Sequence, residues 1–416
     1  MQLPAYIKNY DNFKPGRDQV LYSGPYWDEL EMKAAVNSLL NGNSITSGEN
    51  VVKFQKKFSK FFKVNFSHMV NSGSSANLVM IAALKKKFKW SDDSEIIVSP
   101  VGFPTTIAPI IQNKLIPRFI DIEFETLNFN IENIKGVVNS RTKAILVSPV
   151  LGNPPDIHKL TAICKQHNLL LIGDNCDSLG TKFDNRHISE YYYSWSCSFY
   201  PAHHICTGEG GMVSSNDEEL INIVRSFSWW GRDCYCIGKG NFSSCGACGK
   251  RFDKWLDDYD KIIDHRYMYT NIGYNLKPLD LQGAIGLVQL DKFKEISIKR
   301  KKHKKIIENI IHFHTGSDLV MSHSLADVCW FGVPIILKLF QQKQSLVDFL
   351  EKNKIQTRNY FGGNILLHPG FKHLDCYKKY PNANEVLDRV FFVGCSPQYN
   401  DRVLDYFETT FKQWKK

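Results

Sequence analysis

The sequence lacks the patterns that would place it in a membrane or direct it out of the cell. No run among its 416 residues approaches the roughly 20 consecutive apolar residues of a membrane-spanning helix. The first residues, MQLPAYIKNYDNFKPGRDQ, do not combine a basic start with an apolar stretch, so we expect no secretory signal. These absences predict a cytoplasmic protein without a membrane partner.

Internal repeats, low-complexity linkers and recognised nucleic-acid-binding motifs are also missing. The net charge is +10, and much of the excess lies in IKRKKHKK at residues 298–305. A basic run inside an apolar-periodic helix is typical of a solvated face, so it does not by itself predict nucleic-acid binding. The composition, 43% hydrophobic and 23% charged, is that of a soluble globular protein long enough for two or three domains.

Apolar strands alternate with amphipathic helices through the first half of the chain. The helix WDELEMKAAVNSLLNG ends at Gly42, and small residues lead into an apolar helix from Asn77. The alternation predicts a mostly parallel sheet covered by helices on both faces. Its strands are expected over residues 95–100, 118–122, 143–150, 168–175 and 194–200.

The pattern changes after residue 227. Residues 227–270 are rich in glycine, cysteine and aromatics, and they predict a functional loop without long helices or strands. A long helix is expected at roughly 279–312, followed by a small α+β segment. We therefore divide the chain into a large domain, 1–285, which contains this Cys-rich insertion, and a small C-terminal domain, 286–416.

The eleven cysteines are unusual for a cytosolic protein, in which disulfides are not the default explanation. Cys234, Cys236, Cys245 and Cys248 lie within fifteen positions, which predicts a metal or cluster site. Five scattered cysteines are interpreted as packing residues: Cys164, Cys206, Cys329, Cys376 and Cys395.

Two further features suit ligand binding. The segment NSGSSAN, residues 71–77, places glycine and serines at the mouth of a helix, where free N–H groups suit a phosphate, although an ordinary helix cap has the same pattern. Asp174 ends the strand NLLLIGD, at the edge of the sheet where open α/β folds bind ligands. Its carboxylate could keep a pyridinium nitrogen protonated or could be a structural cap.

Together, five ordered motifs resemble the DegT/DnrJ/EryC1/StrS sugar aminotransferases. They are NSGSSAN, VGFPTT, GDNCDSLG, SFYPAHHICTGEGG and GYNLKPLDLQGAIG, and they extend over nearly the whole chain. The resemblance implies the aspartate-aminotransferase-like fold, which is fold type I of the enzymes that use pyridoxal phosphate (PLP). It also implies a homodimer that shares its active sites.

The resemblance implies a set of cofactor-binding residues. Phe103 would stack on the cofactor ring, Asp174 would pair with the ring nitrogen, and Asp177 would lie near the ring hydroxyl. The family usually has glutamine at this last position, so the role of Asp177 stays open. The phosphate would be bound by Gly73, Ser74, Ser75, Ser198 and, from the neighbouring subunit, Asn275.

The chain departs from the aminotransferases at the residue that carries the cofactor. The family's lysine corresponds to His203, and no lysine lies between Lys182 and Lys239. Imidazole cannot form a stable imine but can accept a proton near neutral pH. The cofactor is therefore expected to bind non-covalently as pyridoxamine phosphate (PMP), with His203 as the catalytic base; an inactive enzyme is the alternative.

The form SFYPAHH resembles the sugar 3-dehydratases of the family, of which one subgroup carries a two-iron, two-sulfur (2Fe-2S) cluster. Cys176 follows the cofactor aspartate, and Cys234 and Cys236 come 58 and 60 positions later, as in that subgroup. Cys248 fits the context of the fourth ligand, but it lies farther from Cys236 than the resemblance implies, and Cys245 is its rival. Zinc bound by four cysteines is a further alternative.

The cluster-bearing subgroup removes the C3 hydroxyl of CDP-4-keto-6-deoxy-D-glucose, with electrons from an NAD(P)H-dependent iron-sulfur flavin reductase. The resemblance implies the same substrate and partner here. One competing interpretation is a cluster-free GDP-4-keto-6-deoxymannose 3-dehydratase that regenerates PMP with glutamate. Another is a non-catalytic cofactor- or zinc-binding protein. His204 is interpreted as structural, and Arg358 and His368 as substrate-phosphate and rim residues by analogy.

Overall fold

The computed structural model describes residue 7 and residues 10–234, 251–256 and 258–414. Capping residues explain several helix boundaries. The side chain of Asp28 caps the first helix and Gly42 ends it, while Asp156 and Asp217 cap later helices. The α-helices of the described residues are α1 (Glu29–Asn41), α2 (Glu49–Phe61), α3 (Gly73–Phe88), α4 (Pro104–Gln112), α5 (Ile157–His167), α6 (Glu218–Ser228), α7 (Asp280–Thr315), α8 (Phe340–Lys352), α9 (Pro381–Arg389) and α10 (Asp401–Lys412).

The strands form one large sheet and three small ones. The large sheet contains β1 (Phe66–Val70), β2 (Glu95–Val98), β3 (Ile116–Phe119), β4 (Thr142–Val147), β5 (Leu170–Asp174), β8 (Ser194–Ser198) and β9 (Gly211–Ser215). The small sheets contain β6 (Lys182–Phe183) and β7 (Arg186–His187) with β12 (Ala326–Asp327), β10 (Lys254–Leu256) with β11 (Tyr259–Ile263), and β13 (Gly332–Ile336), β14 (Thr357–Asn359) and β15 (Val390–Gly394).

The large sheet has the order β1-β9-β8-β5-β4-β2-β3. The five strands from β8 to β3 are parallel, whereas β9 runs antiparallel to both β1 and β8. Alternate residues of each central strand pack into different cores: Ile96 and Leu146 with α3 on one face, and Ile97 and Ile145 with α2 and α5 on the other. The predicted α/β architecture of fold type I, a mostly parallel sheet covered on both faces, is confirmed.

The start of one helix differs from the sequence prediction. Helix α3 begins at Gly73, four residues before the predicted start at Asn77, because the Ser72 hydroxyl accepts from the backbone N–H of Ser75 and caps the helix there. The prediction placed the small residues before the helix, whereas they form its first turn. Helix α7 begins at Asp280 and ends at Thr315, close to the predicted limits.

The basic run in α7 is not wholly a solvated face. Arg300 and His303 are buried, with exposed fractions of 1% and 4%. Lys301 pairs with Asp327, and other lysines of the run also form ion pairs with acidic side chains. Because most of the charge is paired or buried, the run does not present an open basic surface.

The sheet of β13, β14 and β15 shares a hydrophobic core with one face of the large sheet. The larger core cluster contains residues of the large sheet, such as Val70, and of the small one, such as Val393. The predicted boundary between residues 285 and 286 falls inside α7, so the division into two domains remains a prediction. None of the described helices is long and apolar enough to cross a membrane.

The predicted insertion, residues 227–270, is only partly described. Helix α6 extends to Ser228 and so overlaps the first two residues of the predicted insertion. The β10–β11 hairpin lies near the end of the insertion. The hairpin is regular structure that the sequence prediction did not include. Cys236, Cys245 and Cys248 lie outside the described residues.

Candidate active site

A cavity of about 380 Å³ lies where the carboxyl ends of the central strands meet the beginning of α3. Ser148, Asp174 and Ser198 bring it side chains from the ends of β4, β5 and β8. Carboxyl ends of parallel strands share one edge of a sheet, which is where open α/β folds bind ligands. Eight of the residues predicted for the site line the cavity: Gly73, Ser74, Phe103, Asp174, Cys176, Asp177, Ser198 and His203.

The first turn of α3 and the end of β8 form one polar end of the cavity. Gly73 lies so close to Ser198 that a Cβ on the glycine would be 2.5 Å from the Ser198 Cβ. The hydroxyl of Ser74 donates to the Thr105 hydroxyl over 3.1 Å. Hydroxyls and the N-terminus of a 16-residue helix converge here, and such a set of donors suits a phosphate. The backbone N–H of Ser75 donates to the capping hydroxyl of Ser72, and Ser75 does not line the cavity.

Asp174 is fixed from three sides. One carboxylate oxygen accepts from the Asn77 amide over 2.8 Å and from the Thr106 hydroxyl over 2.7 Å, and the other accepts from the backbone N–H of Cys176 over 3.2 Å. The side chain is 4% exposed and still borders the cavity. A buried carboxylate held in this way can accept a hydrogen bond from a ring N–H of a bound cofactor. The structural role of Asp174 is therefore compatible with its predicted binding role, which remains a prediction.

His203 and Asp177 face each other at the cavity wall. The Nδ1 atom of His203 is 3.6 Å from the Asp177 carboxylate and has no hydrogen-bond partner. Burial, with a smaller effect of the Arg300 charge, lowers the pKa of His203 to about 3. Burial and the nearby Asp174 charge raise the pKa of Asp177 to about 7. Because burial outweighs the attraction across 3.6 Å, the imidazole is neutral at pH 7 and has a nitrogen free to accept a proton.

The neighbouring histidine, His204, does not face the cavity. Its Nε2–H donates to the backbone carbonyl of Cys329 over 2.9 Å, and the side chain is 1% exposed. It is not among the residues that line the cavity. His368 donates from Nε2 to the Gly362 carbonyl over 2.7 Å. Both contacts are structural, which agrees with the sequence interpretation of His204.

Aromatic side chains from distant parts of the chain complete the cavity. Phe103 is 52% exposed at its mouth, where its ring lies 6.1 Å from that of Phe361. Tyr22 also borders the cavity, and the guanidinium of Arg358 lies 4.2 Å from its ring centroid. The sequence analysis missed Tyr22 and Phe361, since no motif marks them. Arg358 is exposed beside Tyr22, and its role at the substrate phosphate remains a prediction.

Asn275 does not line the cavity of its own chain. It is exposed and accepts a hydrogen bond from the Lys277 ammonium. Its predicted role, contact with the phosphate in the neighbouring subunit, concerns a second chain and remains a prediction.

The predicted cluster ligands are partly described. Cys176 borders the cavity, and Cys234 is the last described residue before residues 235–250. Burial, with the Asp174 charge, raises the pKa of the Cys176 thiol well above its usual range. The described part of the chain contains no group of three or more histidine, cysteine or acidic side chains placed to bind a metal. The other predicted ligands, Cys236 and Cys248, lie outside it.

The side chains of the cavity fit a pyridoxal- or pyridoxamine-type cofactor. Donors gather around Gly73 and Ser198 at one end, where the missing Cβ of the glycine leaves room for close approach. A fixed carboxylate, Asp174, borders the same space. These groups match the phosphate and the protonated ring nitrogen of the cofactor. No lysine is among the described residues that line the cavity, whereas His203 is.

Comparisons with known proteins agree with the fold and the site. A model of the DegT/DnrJ/EryC1/StrS aminotransferase family matches residues 27–409. The chain is 37% identical over 404 residues to a dTDP-4-dehydro-2,6-dideoxy-D-glucose 3-dehydratase of Saccharopolyspora spinosa, covering 95% of this chain and 86% of that protein. It is 36% identical over 433 residues to the lipopolysaccharide biosynthesis protein RfbH of Salmonella typhimurium, covering 99% and 97%.

A solved structure shows the same similarity in three dimensions. It is the Escherichia coli GDP-4-keto-6-deoxy-D-mannose 3-dehydratase with bound hydrated PLP, at a TM-score of 0.82 and 29% identity. The match covers 95% of this chain and 100% of that one. The similarity therefore extends over the sheet, the cavity and the C-terminal sheet together.

Proposed function

The chain belongs to the DegT/DnrJ/EryC1/StrS aminotransferase family. We propose that it is a PMP-dependent sugar-nucleotide 3-dehydratase, which removes the C3 hydroxyl of the sugar instead of transferring an amino group to it. The observation that carries the proposal is His203 at the cavity wall, in the position of the family's lysine. A neutral imidazole can move a proton but cannot hold the cofactor covalently. Relatives named as 3-dehydratases support the same reaction class.

The cofactor would be held by the groups that line the cavity. Gly73, Ser74 and Ser198 would bind its phosphate, Asp174 its ring nitrogen, and Phe103 its ring face. When bound, PMP supplies an amine that can condense with a C4 ketone and a conjugated ring that can take up electrons. Asp174 would keep the ring nitrogen protonated, which strengthens that electron uptake.

His203 would accept the proton whose removal allows the sugar to lose its C3 hydroxyl. Its imidazole is neutral and has an unpartnered Nδ1. The carboxylate of Asp177, 3.6 Å away, would stabilise the positive charge that the imidazole gains. The C3 hydroxyl would leave as water with the proton that His203 has taken up, so this residue and its neighbour suffice for the proton transfers on this chain.

Two substitutions of His203 test the proposal. H203N removes the base and keeps a polar side chain of similar reach, so we expect a loss of turnover of about 10²–10⁴-fold with PMP binding retained. H203K is expected to abolish 3-dehydration and to attach PLP covalently, which borohydride reduction and intact mass would detect. Retained dehydration in H203K would contradict the proposed role of the histidine.

We further propose CDP-4-keto-6-deoxy-D-glucose as the substrate, a 2Fe-2S cluster as the electron source and an NAD(P)H-dependent iron-sulfur flavin reductase as the partner. The support is the order of Cys176, Cys234, Cys236 and Cys248 along the chain. Cys176 also lies at the cavity, two residues from Asp174, where a cluster would be close to the cofactor. The nucleotide assignment is tested by comparing CDP, dTDP and GDP forms of the sugar.

Metal analysis tests the cluster. Anaerobically purified protein is expected to contain two irons and two acid-labile sulfides per chain, which is the content of a 2Fe-2S centre, with visible absorbance that bleaches on reduction. C234S is expected to lose the iron and the reductase-dependent turnover, whereas C164S, at a buried cysteine away from the cavity, is expected to keep both. Zinc, or glutamate-dependent turnover that survives C234S, would favour the cluster-free 3-dehydratase instead.

A further inference from the structure

Arg300 is a buried cation that the proposed reaction does not use. It lies in α7 and is 1% exposed. None of the ion pairs among the described residues involves this side chain, and its hydrogen bonds go to backbone carbonyl groups and to the side chain of Cys395. A guanidinium removed from water without an ion-pair partner is costly, so its burial here calls for a specific reason.

The carbonyl groups that it binds belong to two segments of the site. One terminal nitrogen, Nη1, donates to the Phe331 carbonyl over 3.0 Å. The other, Nη2, donates to the carbonyls of Ala202 over 3.3 Å and of His203 over 3.4 Å. One planar group therefore connects the turn that carries the histidine with the segment that precedes β13.

The side chains of these two segments also meet. The Phe331 ring lies 5.2 Å from the His203 imidazole, and both residues line the cavity. The Nδ1 atom of the imidazole has no hydrogen-bond partner. The direction of the ring is therefore set by its hydrogen bond to the Cys176 backbone, by packing against Phe331 and by the course of the backbone. The guanidinium hydrogen-bonds the backbone of the two segments that carry the Phe331 and His203 rings.

We propose that Arg300 is a positioning residue, which aims the His203 imidazole into the cavity by fixing the backbone of residues 202–203 and of Phe331 relative to each other. A fork with two terminal nitrogens binds the two segments from two separate points, whereas an ammonium would have to reach both from one nitrogen. The proposal rests on the proposed function of His203 and adds to it a residue that touches neither cofactor nor substrate.

Two variants of Arg300 and one control test this role. R300M keeps most of the volume and removes all donors, and R300K keeps the charge with one nitrogen. Q289M is the matched control: Gln289 also lies in α7, is 1% exposed, and accepts from the backbone N–H of Cys206, three residues beyond the histidine. It binds the same turn without touching residues 202–203 or 331.

The first readout is steady-state kinetics of the holoenzyme. A misplacement of about 1 Å can cost about 100-fold in rate, so R300M is expected to lower kcat by about that factor with KM within about twofold of wild type. R300K, which can bind one segment at a time, is expected to lose about tenfold, between R300M and wild type. Q289M is expected to stay within about threefold of wild type, since the imidazole keeps its support.

The second readout needs no sugar substrate. In the H203K background, the rate of covalent PLP attachment reports where the side chain at position 203 points. H203K/R300M is expected to attach PLP about tenfold more slowly than H203K, because misdirected groups react more slowly, while H203K/Q289M keeps the H203K rate. An unchanged rate in H203K/R300M and H203K/R300K would overturn the proposal, whatever happens to kcat.

The two readouts separate this proposal from the proposed function. If wild type fails to dehydrate any of the nucleotide sugars, the proposed function is wrong, and the attachment rates still decide the role of Arg300. If wild type is active and R300M, R300K and Q289M lower kcat equally, the effect is general loss of packing and the proposal is wrong. Should R300M not fold, the comparison of R300K with Q289M makes the same decision.

Discussion

The side chain of Asp174 shows how one residue serves both the fold and the site. Its carboxylate accepts from Asn77, Thr106 and the backbone of Cys176, so its position is set before any ligand binds. Such a group pays no ordering cost on binding and presents negative charge in a fixed direction. The same contacts make the residue sensitive to a change as small as an amide.

D174N is expected to weaken PMP binding and to destabilise the fold. In either orientation of the new amide its NH2 group would face a donor, either those of Asn77 and Thr106 or the backbone N–H of Cys176, so the free energy of unfolding should fall by about 1–3 kcal/mol. D121N is the control, because Asp121 likewise accepts three hydrogen bonds, all from backbone N–H groups, but lies away from the cavity. Calorimetric PMP titration with chemical denaturation measures both effects, and unchanged PMP affinity in D174N would contradict the assignment.

His187 predicts a fall in stability with acid. Burial, assisted by the Lys182 charge, lowers its pKa from 6.5 to about 4. Between these values the unfolded chain binds a proton and the folded chain does not, so the free energy of unfolding falls as the pH falls through this window. The contribution is about 1–2 kcal/mol between pH 7 and pH 4.5.

Urea denaturation of wild type and H187N at several pH values measures this term. The difference between the two proteins should change between pH 7 and pH 4.5 and stay constant between pH 7.5 and pH 8.5, where both states carry the neutral imidazole. A difference that is the same at every pH would contradict the assigned pKa direction.

The shape of the polar end of the cavity depends on the residue at which helix α3 begins. Gly73 opens the helix, and its missing side chain allows the first turn to approach Ser198 at the end of β8. A Cβ there would lie 2.5 Å from the Ser198 Cβ, closer than packed atoms tolerate. The polar end of the cavity depends on this contact between two elements.

G73A is therefore expected to move the helix start and to weaken PMP binding by roughly tenfold or more, since overpacking costs about 1–3 kcal/mol. G136A is the control, because no atom lies within 4 Å of a Cβ at that position. PMP titration of both variants tests this. Equal affinity in G73A and wild type would show that the close approach is not required.

The elements themselves were largely predictable, and the exceptions have physical reasons. The central strands alternate apolar residues on both faces, and this pattern is local. Strand β9 follows a turn with glycines at positive φ, Gly208 and Gly210. Its antiparallel direction is set by pairing with β1 and β8, which no local pattern indicates. The start of α3 was missed because glycine and serine are poor helix formers, and a capping hydrogen bond decides the outcome.

The whole chain is needed to close the site. Tyr22 of the N-terminal segment and Phe361 of a segment after β14 line the cavity with Asp174 and His203, and Arg300 of α7 binds the backbone of its wall. No local pattern marks Tyr22, Phe361 or Arg300, because their roles arise from contacts between residues far apart in sequence. The residues that the sequence analysis did find, Asp174 and His203, lie in short motifs at strand ends.

The predicted homodimer extends the site beyond one chain. If Asn275 binds the phosphate in the neighbouring subunit, H203N and N275A damage different subunits of the same site. Mixing the two inactive variants after reversible dissociation should then restore about a quarter of the wild-type activity, because in a symmetric dimer half of the mixed dimers' sites are intact. No recovery in demonstrably mixed dimers would contradict shared active sites.

The most direct test of the proposed function follows the C3 oxygen of the sugar. CDP-4-keto-6-deoxy-D-glucose labelled with ¹⁸O at C3 would be incubated with PMP-loaded wild type and H203N, and the label followed by mass spectrometry. We expect wild type to release the label as water and H203N to leave it on the sugar. A 4-amino sugar that keeps the label in the wild-type reaction would show transamination instead and would contradict the account.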